Sequence, residues 1–424
     1  MKFYENEKEI EKAILVAIQK YGETREKVNE YLDELEMLTQ TAGAETIAKI
    51  IQERDKPEVA YYVGKGKAEE IAQLAEMNEV SLIIFDEDLS PSQIRNLEKL
   101  MERKILDRSG LILDIFANHA RTSEAKTQVE LAQLQYTLSR LTRAWTHLSK
   151  QFGGIGTKGP GETQIETDRR IIRDKISKLK EKLVKIDSQQ QTKSAARQNL
   201  SKISLVGYTN AGKSTLLNLL TNADVLAENK LFATLDSTTR ILQLTKEKKV
   251  LLSDTVGFIR KLPHNLIASF RSTLNVVREA DLILHVVDLS NSSFTDHIEV
   301  VHKTIKEISA EKTTELIIFN KVDKVLQEEV LDFVKRHYPK SIFISASRGI
   351  NISSLLEKIN VALEENIKTK KIEIPINNYK LISEIHNVAE VLSTEYDEEK
   401  VVLEVKIEKA ELERFEKQYK IKFV

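Results

Sequence analysis

The stretch Gly207-Tyr208-Thr209-Asn210-Ala211-Gly212-Lys213-Ser214 directly follows the apolar run Ile203 to Val206 and directly precedes the helical pattern Thr215 to Leu220. The pattern G-x-x-x-x-G-K-[ST] means little alone, and its position between a strand and a helix gives it content. Glycines at 207 and 212 let the main chain wrap so that successive N–H groups, backed by the helix N-terminus, face phosphate oxygens. Lys213 would bring a point charge to the β and γ phosphates, and the Ser214 hydroxyl a ligand to magnesium.

Working outward, apolar strands recur at Ile203 to Val206, Val250 to Leu252, Leu282 to Val287, Leu316 to Phe319 and Ile342 to Ile344, with helical segments between them. That alternation predicts an α/β fold: a P-loop G domain with a mostly parallel, doubly wound sheet, whose ligands bind beyond the carboxyl ends of the strands. Each further motif falls at such an end. Asp254-Thr255-Val256-Gly257 follows the second strand, where Asp254 would hold magnesium through water and the Gly257 N–H would sense the γ-phosphate. Between the two motifs, Phe232-Ala233-Thr234-Leu235-Asp236-Ser237-Thr238-Thr239 is the candidate first switch. Thr234 is the favoured second magnesium ligand beside Ser214; spacing alone does not separate it from Thr238 and Thr239. Asn320-Lys321-Val322-Asp323 follows Leu316 to Phe319, and the Asp323 carboxylate would accept hydrogen bonds from the ring N–H and exocyclic amine of guanine, which adenine lacks there. Ser345-Ala346-Ser347 supplies the expected backbone contact to the guanine oxygen. Together these argue for hydrolysis of GTP rather than ATP.

Two positions bear on the chemistry. Phe258 follows Gly257 where many small GTPases carry a glutamine that orients the attacking water, so slow intrinsic hydrolysis is expected and the catalytic residue is unassigned. Asn210 has two readings, a K⁺ contact or a residue that only shapes the loop. Elsewhere, Val63-Gly64-Lys65-Gly66-Lys67 could touch phosphate but lacks the Walker spacing and reads as a turn. His119 and His147 have no companions at ligand spacing and are not read as metal ligands.

The rest of the chain divides by character. Residues 1–120 alternate strand-like runs (Ala13 to Ile18, Thr46 to Ile51, Leu82 to Phe85, Lys104 to Leu106) with helical ones (Thr24 to Thr39, Lys67 to Asn78, Ser92 to Glu102), an N-terminal α/β domain. Residues 121–200 then carry Leu131, Leu134, Leu138, Leu141, Trp145 and Leu148, and after a break Ile165, Ile172, Ile176, Leu179, Leu183 and Ile186. Such spacing predicts two helices with facing seams, a long antiparallel hairpin. The loop Lys150 to Glu162 holds five of the 14 glycines, and Asp187 to Ser194 reads as a polar linker. Residues 201–368 form the G domain. Residues 369–424 read as a small α+β domain: strand Lys371 to Ile376, helix Tyr379 to Leu392, strand Lys400 to Ile407, helix Lys409 to Tyr419 and a final strand.

Charge is concentrated. The whole chain of 424 residues is nearly neutral at −1, yet residues 121–200 carry 16 Lys/Arg against 8 Asp/Glu. A long basic arm with a glycine tip suits structured RNA, where phosphate contacts dominate affinity; a solvated helical surface is the plain alternative. The absence of cysteine excludes disulfides and thiolate metal sites and fits a reducing compartment. The charged start Met1-Lys2-Phe3-Tyr4-Glu5 does not resemble a secretion signal. The longest apolar runs are about six residues against the roughly 20 needed to span a bilayer, so no membrane span is expected. A cytoplasmic protein is expected, with peripheral association with a membrane left open.

The phosphate loop, Phe232 to Asp236, Asp254 to Phe258 and above all Gly159-Pro160-Gly161-Glu162-Thr163-Gln164 resemble the HflX family of translation-associated GTPases, as do Gln128 to Leu134 and the domain order. The resemblance covers most of the chain and is weakest at the C-terminal domain. It implies a GTPase that binds the 50S subunit and the 70S ribosome and splits or rescues stalled 70S particles under stress; separately, a monomer is expected when the protein is free. Its hairpin would reach ribosomal RNA near the peptidyl transferase centre. Ser237 departs from a proline common in the family's first switch.

Overall fold

The computed structural model describes residues 10–141, 160–194, 200–221, 230–232, 235–246, 248–262, 271–308, 310, 313–365, 367–397 and 399–408, with 412, 415 and 419. The expectations for Trp145, His147, Leu148, the glycine tip, Ala233, Thr234 and most of Lys409 to Val424 lie outside these residues.

In the N-terminal part, β1 (Lys12–Gln19), β2 (Glu45–Glu53), β3 (Leu82–Phe85) and β4 (Lys104–Asp107) form a parallel sheet in the order β2-β1-β3-β4. Its central strands are apolar on both faces because helices cover both: Ile14 and Val16 face one core, Ala13 and Leu15 the other. Helix α1 (Arg25–Thr41) starts at Thr24, whose hydroxyl accepts from the Lys27 N–H at 3.3 Å, and buries Val28, Leu32, Leu35 and Leu38 at helical spacing. Helix α2 spans Lys65–Met77. Ser90 and Gln93 cap α3 (Pro91–Met101) reciprocally, with Pro91 in its first turn.

Immediately after β4 comes α4 (Arg108–His119), a helix the sequence reading did not delimit. It is apolar on more than one face, burying Leu111, Ile112, Leu113, Ile115 and Phe116. It lies between α1 and the first arm helix, α5 (Ser123–Leu141), and an element enclosed in this way shows no amphipathic period.

The return helix α6 (Pro160–Ser194) corrects the sequence reading at both ends. Pro160, Gly161 and Glu162 belong to its first turn rather than to the loop, and Asp187 to Ser194 continues the helix instead of forming a linker. Proline is at home in a first helical turn, and a run of Gln, Lys and Ser is polar without opposing a helix. The seam itself matches: Ile176 is buried and Ile172, Leu179, Leu183 and Ile186 are half-buried, whereas Ile171 and Val184 are exposed.

The G-domain sheet has the order β10-β9-β8-β5-β7-β6, built from β5 (Lys202–Gly207), β6 (Thr238–Gln243), β7 (Lys249–Asp254), β8 (Leu282–Asp288), β9 (Thr314–Asn320) and β10 (Ile342–Phe343). Every neighbouring pair is parallel except β6 with β7. The edge strand β6 went unread because Thr238 and Thr239 had been assigned to the first switch. Helices α7 (Lys213–Thr221), α8 (Arg271–Arg278), α9 (Phe294–Glu307), α10 (Glu328–His337) and α11 (Ile352–Glu365) cover the sheet. Beyond them β11 (Ile367–Pro375), α12 (Tyr379–Val388), β12 (Glu390–Tyr396) and β13 (Lys400–Glu408) make an antiparallel sheet in the order β11-β13-β12 with its own core. Here the predicted helix Tyr379 to Leu392 ends at Val388. The segment after it is a strand, whose Val391, Thr394 and Tyr396 suit an edge.

One core crosses the boundary expected near residue 120. Phe116 of α4 and Ala125, Val129 and Ala132 of α5 share a cluster with Leu231, Phe232, Leu235, Val256 and Ile259 of the G domain. Phe116 and Phe232 meet edge to face at 4.7 Å.

Candidate nucleotide site

The segment between β5 and α7 is held by its own side chains. The Lys213 ammonium folds back and donates to the carbonyls of Gly207 at 3.1 Å and Tyr208 at 2.9 Å. Burial pulls its pKa down to about 8, against the pull of Asp254. Gly207 has φ +153°, and a Cβ there would stand 2.2 Å from the Val286 carbonyl oxygen. Gly212 has φ +96°, and its Cβ would stand 2.3 Å from Asn320 Nδ2. Both positions therefore demand glycine for conformation and for close approach. Asn210 is also left-handed, φ +60°.

At the end of β7, the Ser214 hydroxyl donates to Asp254 Oδ2 at 2.6 Å. The other Asp254 oxygen, Oδ1, is buried with no hydrogen-bond partner. Burial raises the Asp254 pKa, while Lys213 and Ser214 oppose that rise. A hydroxyl beside a carboxylate with a spare buried oxygen is an all-oxygen donor set, which fits a hard divalent cation such as magnesium. Thr255 donates to the Leu205 carbonyl at 2.7 Å, fixing the turn. At Gly257 a Cβ would lie 2.7 Å from Thr209 Cα, so the two loops touch backbone to backbone. Two hydrogen bonds join them, Thr209 N–H to Phe258 O at 2.7 Å and Phe258 N–H to Gly207 O at 3.1 Å.

The residues expected to form the base pocket lie together. The Asn320 amide donates to the Ala211 carbonyl at 2.9 Å, and its oxygen accepts from the Ala346 N–H at 3.0 Å. One buried side chain thus ties the phosphate loop to Ser345-Ala346-Ser347. Lys321 donates to the Asn210 carbonyl at 2.9 Å and pairs with Asp288 at 2.7 Å. Val322 and Asp323 form a short 3₁₀ turn with Lys324. The Asp323 carboxylate is exposed, and a hydrogen bond from Ser345 holds its pKa below the ordinary range.

The first-switch candidates part company. Phe232 is buried, and its N–H donates to the Thr209 hydroxyl at 2.9 Å. Leu235 joins the shared core. Asp236 turns away from the phosphate loop: its carboxylate accepts from the Arg121 N–H at 3.1 Å, the Thr122 N–H at 3.4 Å and the Thr122 hydroxyl, at the start of α5. Thr238 pairs with Asp254 across β6 and β7, and the Thr239 hydroxyl meets that of Ser253 at 2.8 Å.

Sequence reasoning missed what Tyr208 does. It is a variable position of the loop pattern, yet its ring stacks on His297 at 3.7 Å and its hydroxyl donates to Glu34 of α1. Glu34 also binds Arg108 and, at 2.9 Å, Arg260 Nε; Asp86 binds Arg108 at 2.7 Å and Lys261 at 2.7 Å. Burial alone would raise the Glu34 pKa, but Arg108, Arg260 and the Tyr208 hydroxyl hold it at about 2. Partners so far apart in sequence leave no local motif.

A phosphate loop, a strand-end aspartate and an exposed carboxylate beside Asn320 and Lys321 define a P-loop protein of the guanine-nucleotide-binding class. Family models described as "GTP-binding GTPase N-terminal", "GTP-binding GTPase Middle Region" and "50S ribosome-binding GTPase" match residues 29–117, 119–197 and 202–321. The GTPase HflX of Flavobacterium psychrophilum is 48% identical over 379 residues, 89% of this chain and 91% of that protein. That of Escherichia coli K12 is 42% identical over 392 residues, covering 92% and 91%. A GTP-binding protein of Sulfolobus solfataricus solved with GDP is 24% identical and covers 84% of this chain and 99% of its own, at a TM-score of 0.45. The chain belongs to the HflX family of GTPases, and it is an enzyme that hydrolyses GTP. Among the described residues no helix is long and apolar enough to cross a membrane.

Proposed function

We propose that this chain binds the large ribosomal subunit through its N-terminal domain and basic arm, separates stalled 70S ribosomes in the GTP state, and is released after hydrolysis. The shared core carries this reading. Leu231, Phe232 and Leu235 and, after β7, Val256 and Ile259 pack with α4 and α5, while Asp236 binds the start of the arm and Arg260 binds Glu34, so a change at the γ-phosphate would pass directly to the base of the arm. GTP can favour the docked form only by binding it better than the free form.

Within the site, Gly207 to Ser214 cradle the phosphates, Lys213 supplies charge to them, and Asp323 selects guanine, with Asn320 and Ala346 setting that pocket's walls. Ser214, and Asp254 through water, would hold magnesium, with Thr234 as the further candidate; the ion supplies neutralising charge to the phosphates. The left-handed Asn210, braced by Lys321, favours a loop-shaping role over a K⁺ contact, and hydrolysis rates in sodium and potassium separate the two. The division at residues 120, 200 and 368, a monomeric free state and a cytoplasmic location belong to the same proposal.

Light scattering of 70S particles tests it. Adding the protein with a non-hydrolysable GTP analogue should lower scattering as subunits separate, and GDP should not. Nucleotide-dependent ribosome binding with unchanged scattering would favour the alternative, a GTP-gated RNA- or protein-binding factor without splitting activity.

A further inference from the structure

Away from the phosphate loop, three side chains that no sequence motif links come together. His285 lies in mid β8, Glu315 on the neighbouring strand β9, and His302 on α9, which packs over them. His285 Nδ1 is 2.7 Å from Glu315 Oε1, while His302 Nε2 is 3.0 Å and 3.1 Å from the two carboxylate oxygens. One ligand atom from each residue falls within 4.8 Å of the other two, and among the described residues this is the group of metal-ligand type. The floor of the cluster is closed and its mouth open: the His285 side chain is 1% exposed, that of His302 44% and that of Glu315 27%.

We propose that His285, His302 and Glu315 form a site for a borderline divalent transition metal of the zinc type. Two imidazoles and one carboxylate are a donor set that zinc accepts with a fourth, water-filled position, whereas magnesium and calcium prefer oxygen alone. Without metal, the carboxylate accepts one N–H from each ring; to bind a cation each imidazole ligates as the neutral tautomer that carries its proton on the ring nitrogen facing away from the carboxylate. Tetrahedral ligation at about 2.0 Å sets donors about 3.3 Å apart, so each ring must draw back from the carboxylate by a few tenths of an ångström, and the two ring nitrogens, within 4.8 Å of each other, must settle to the same spacing. His302 and Glu315 are free to move by that amount because they sit at the mouth, and the mouth is the entry path.

The site would pin α9 to the sheet. His297, five residues before His302 on that helix, stacks on Tyr208 of the phosphate loop. Metal binding is therefore expected to stiffen the support of that loop rather than to take part in hydrolysis.

The test uses full-length, tag-free, nucleotide-free protein at pH 7.5, titrated with Co²⁺ and then displaced with Zn²⁺. The expected result is one Co²⁺ per chain with the visible absorption of a four-coordinate ion, lost on adding Zn²⁺, and a Zn²⁺-dependent rise in unfolding temperature. His302→Ala and Glu315→Gln, both partly exposed, should abolish the spectrum and the rise while GTP affinity stays within twofold of the parent protein. Absence of stoichiometric binding at micromolar metal, or binding unchanged in both variants, overturns the assignment. Neither outcome of the metal titration bears on the GTPase reading, because that titration contains no nucleotide.

Discussion

The molecule contains one parallel and one mostly parallel sheet, and their carboxyl ends meet different fates. In both, the strand order reverses beside the first strand, the place where open α/β sheets bind ligands. In the G-domain sheet that end carries glycines, an aspartate with a spare oxygen and an exposed carboxylate. In the N-terminal sheet the same end is filled by the protein's own cations. Asp86 after β3 binds Arg108 and Lys261, and Asp107 at the end of β4 binds Arg140 and the Tyr136 hydroxyl. The rings and guanidiniums continue the seal, with Arg260 over Tyr31 at 3.4 Å and Arg140 over Tyr136 at 3.2 Å. One architecture therefore serves as a ligand site where its end is left open, and as a docking socket for Arg260, Lys261 and the arm where side chains close it.

The comparison can be broken most severely at the open end. Lys213→Ala should lower GTP turnover by on the order of 10²-fold or more, the scale of losing a charged group aimed at the reacting phosphates, while circular dichroism shows an intact fold. Unchanged turnover would mean that the loop does not hold the triphosphate.

At the closed end the expected effect is on stability. Glu34→Ala leaves the buried Arg108 and the half-buried Arg260 short of their shared carboxylate, a loss of about 3–5 kcal/mol in denaturant unfolding of the full chain. The pH dependence follows from the same group. Its folded pKa of about 2 lies below the ordinary 4.5, so its stabilising contribution is complete above about pH 4.5 and is lost as pH falls towards 2. Glu315, also held at about 2 by its two histidines although burial pushes the other way, titrates in that window. Glu34→Gln should accordingly reduce the acid sensitivity without removing it. An identical acid profile in the variant would detach Glu34 from the docking network.

The smallest effect should come at the joint between the two ends. Asp236→Ala removes the carboxylate that receives the Arg121 and Thr122 N–H groups and the Thr122 hydroxyl just before α5, a loss of about 1 kcal/mol typical of a hydrogen bond, and should speed amide exchange at Arg121 and Thr122. Exchange unchanged at those amides would show that the first switch does not grip the arm.

The sequence was most informative where function is written in adjacent residues. Gly207 to Ser214, Asp254 to Gly257 and Asn320 to Asp323 each lie at a strand end, because a loop that wraps a ligand uses neighbouring backbone groups. The alternation of strands and helices gave the α/β character of both units and the mostly parallel sheet of the G domain, and the 3-4 spacing of Ile172, Ile176, Leu179 and Leu183 gave the seam of α6. Three things were not legible. The apolar helix α4 has no period because it is enclosed. The ends of α6 carry residues that permit a helix without requiring one. The contacts of Tyr208, Glu34, Arg260 and Asp236 join residues separated by a hundred or more positions, and long-range pairing of that kind leaves no trace in local pattern.

Nucleotide choice at residue 323 is the most direct test of whether the G-domain end is a guanine site. Affinity of the parent protein and of Asp323→Asn should be measured for GTP and for xanthosine triphosphate in magnesium buffer. Asparagine can donate to the xanthine oxygen where aspartate accepts from the guanine amine, so the variant should lose GTP and gain the xanthine nucleotide. GTP affinity unaltered by the substitution would contradict the account.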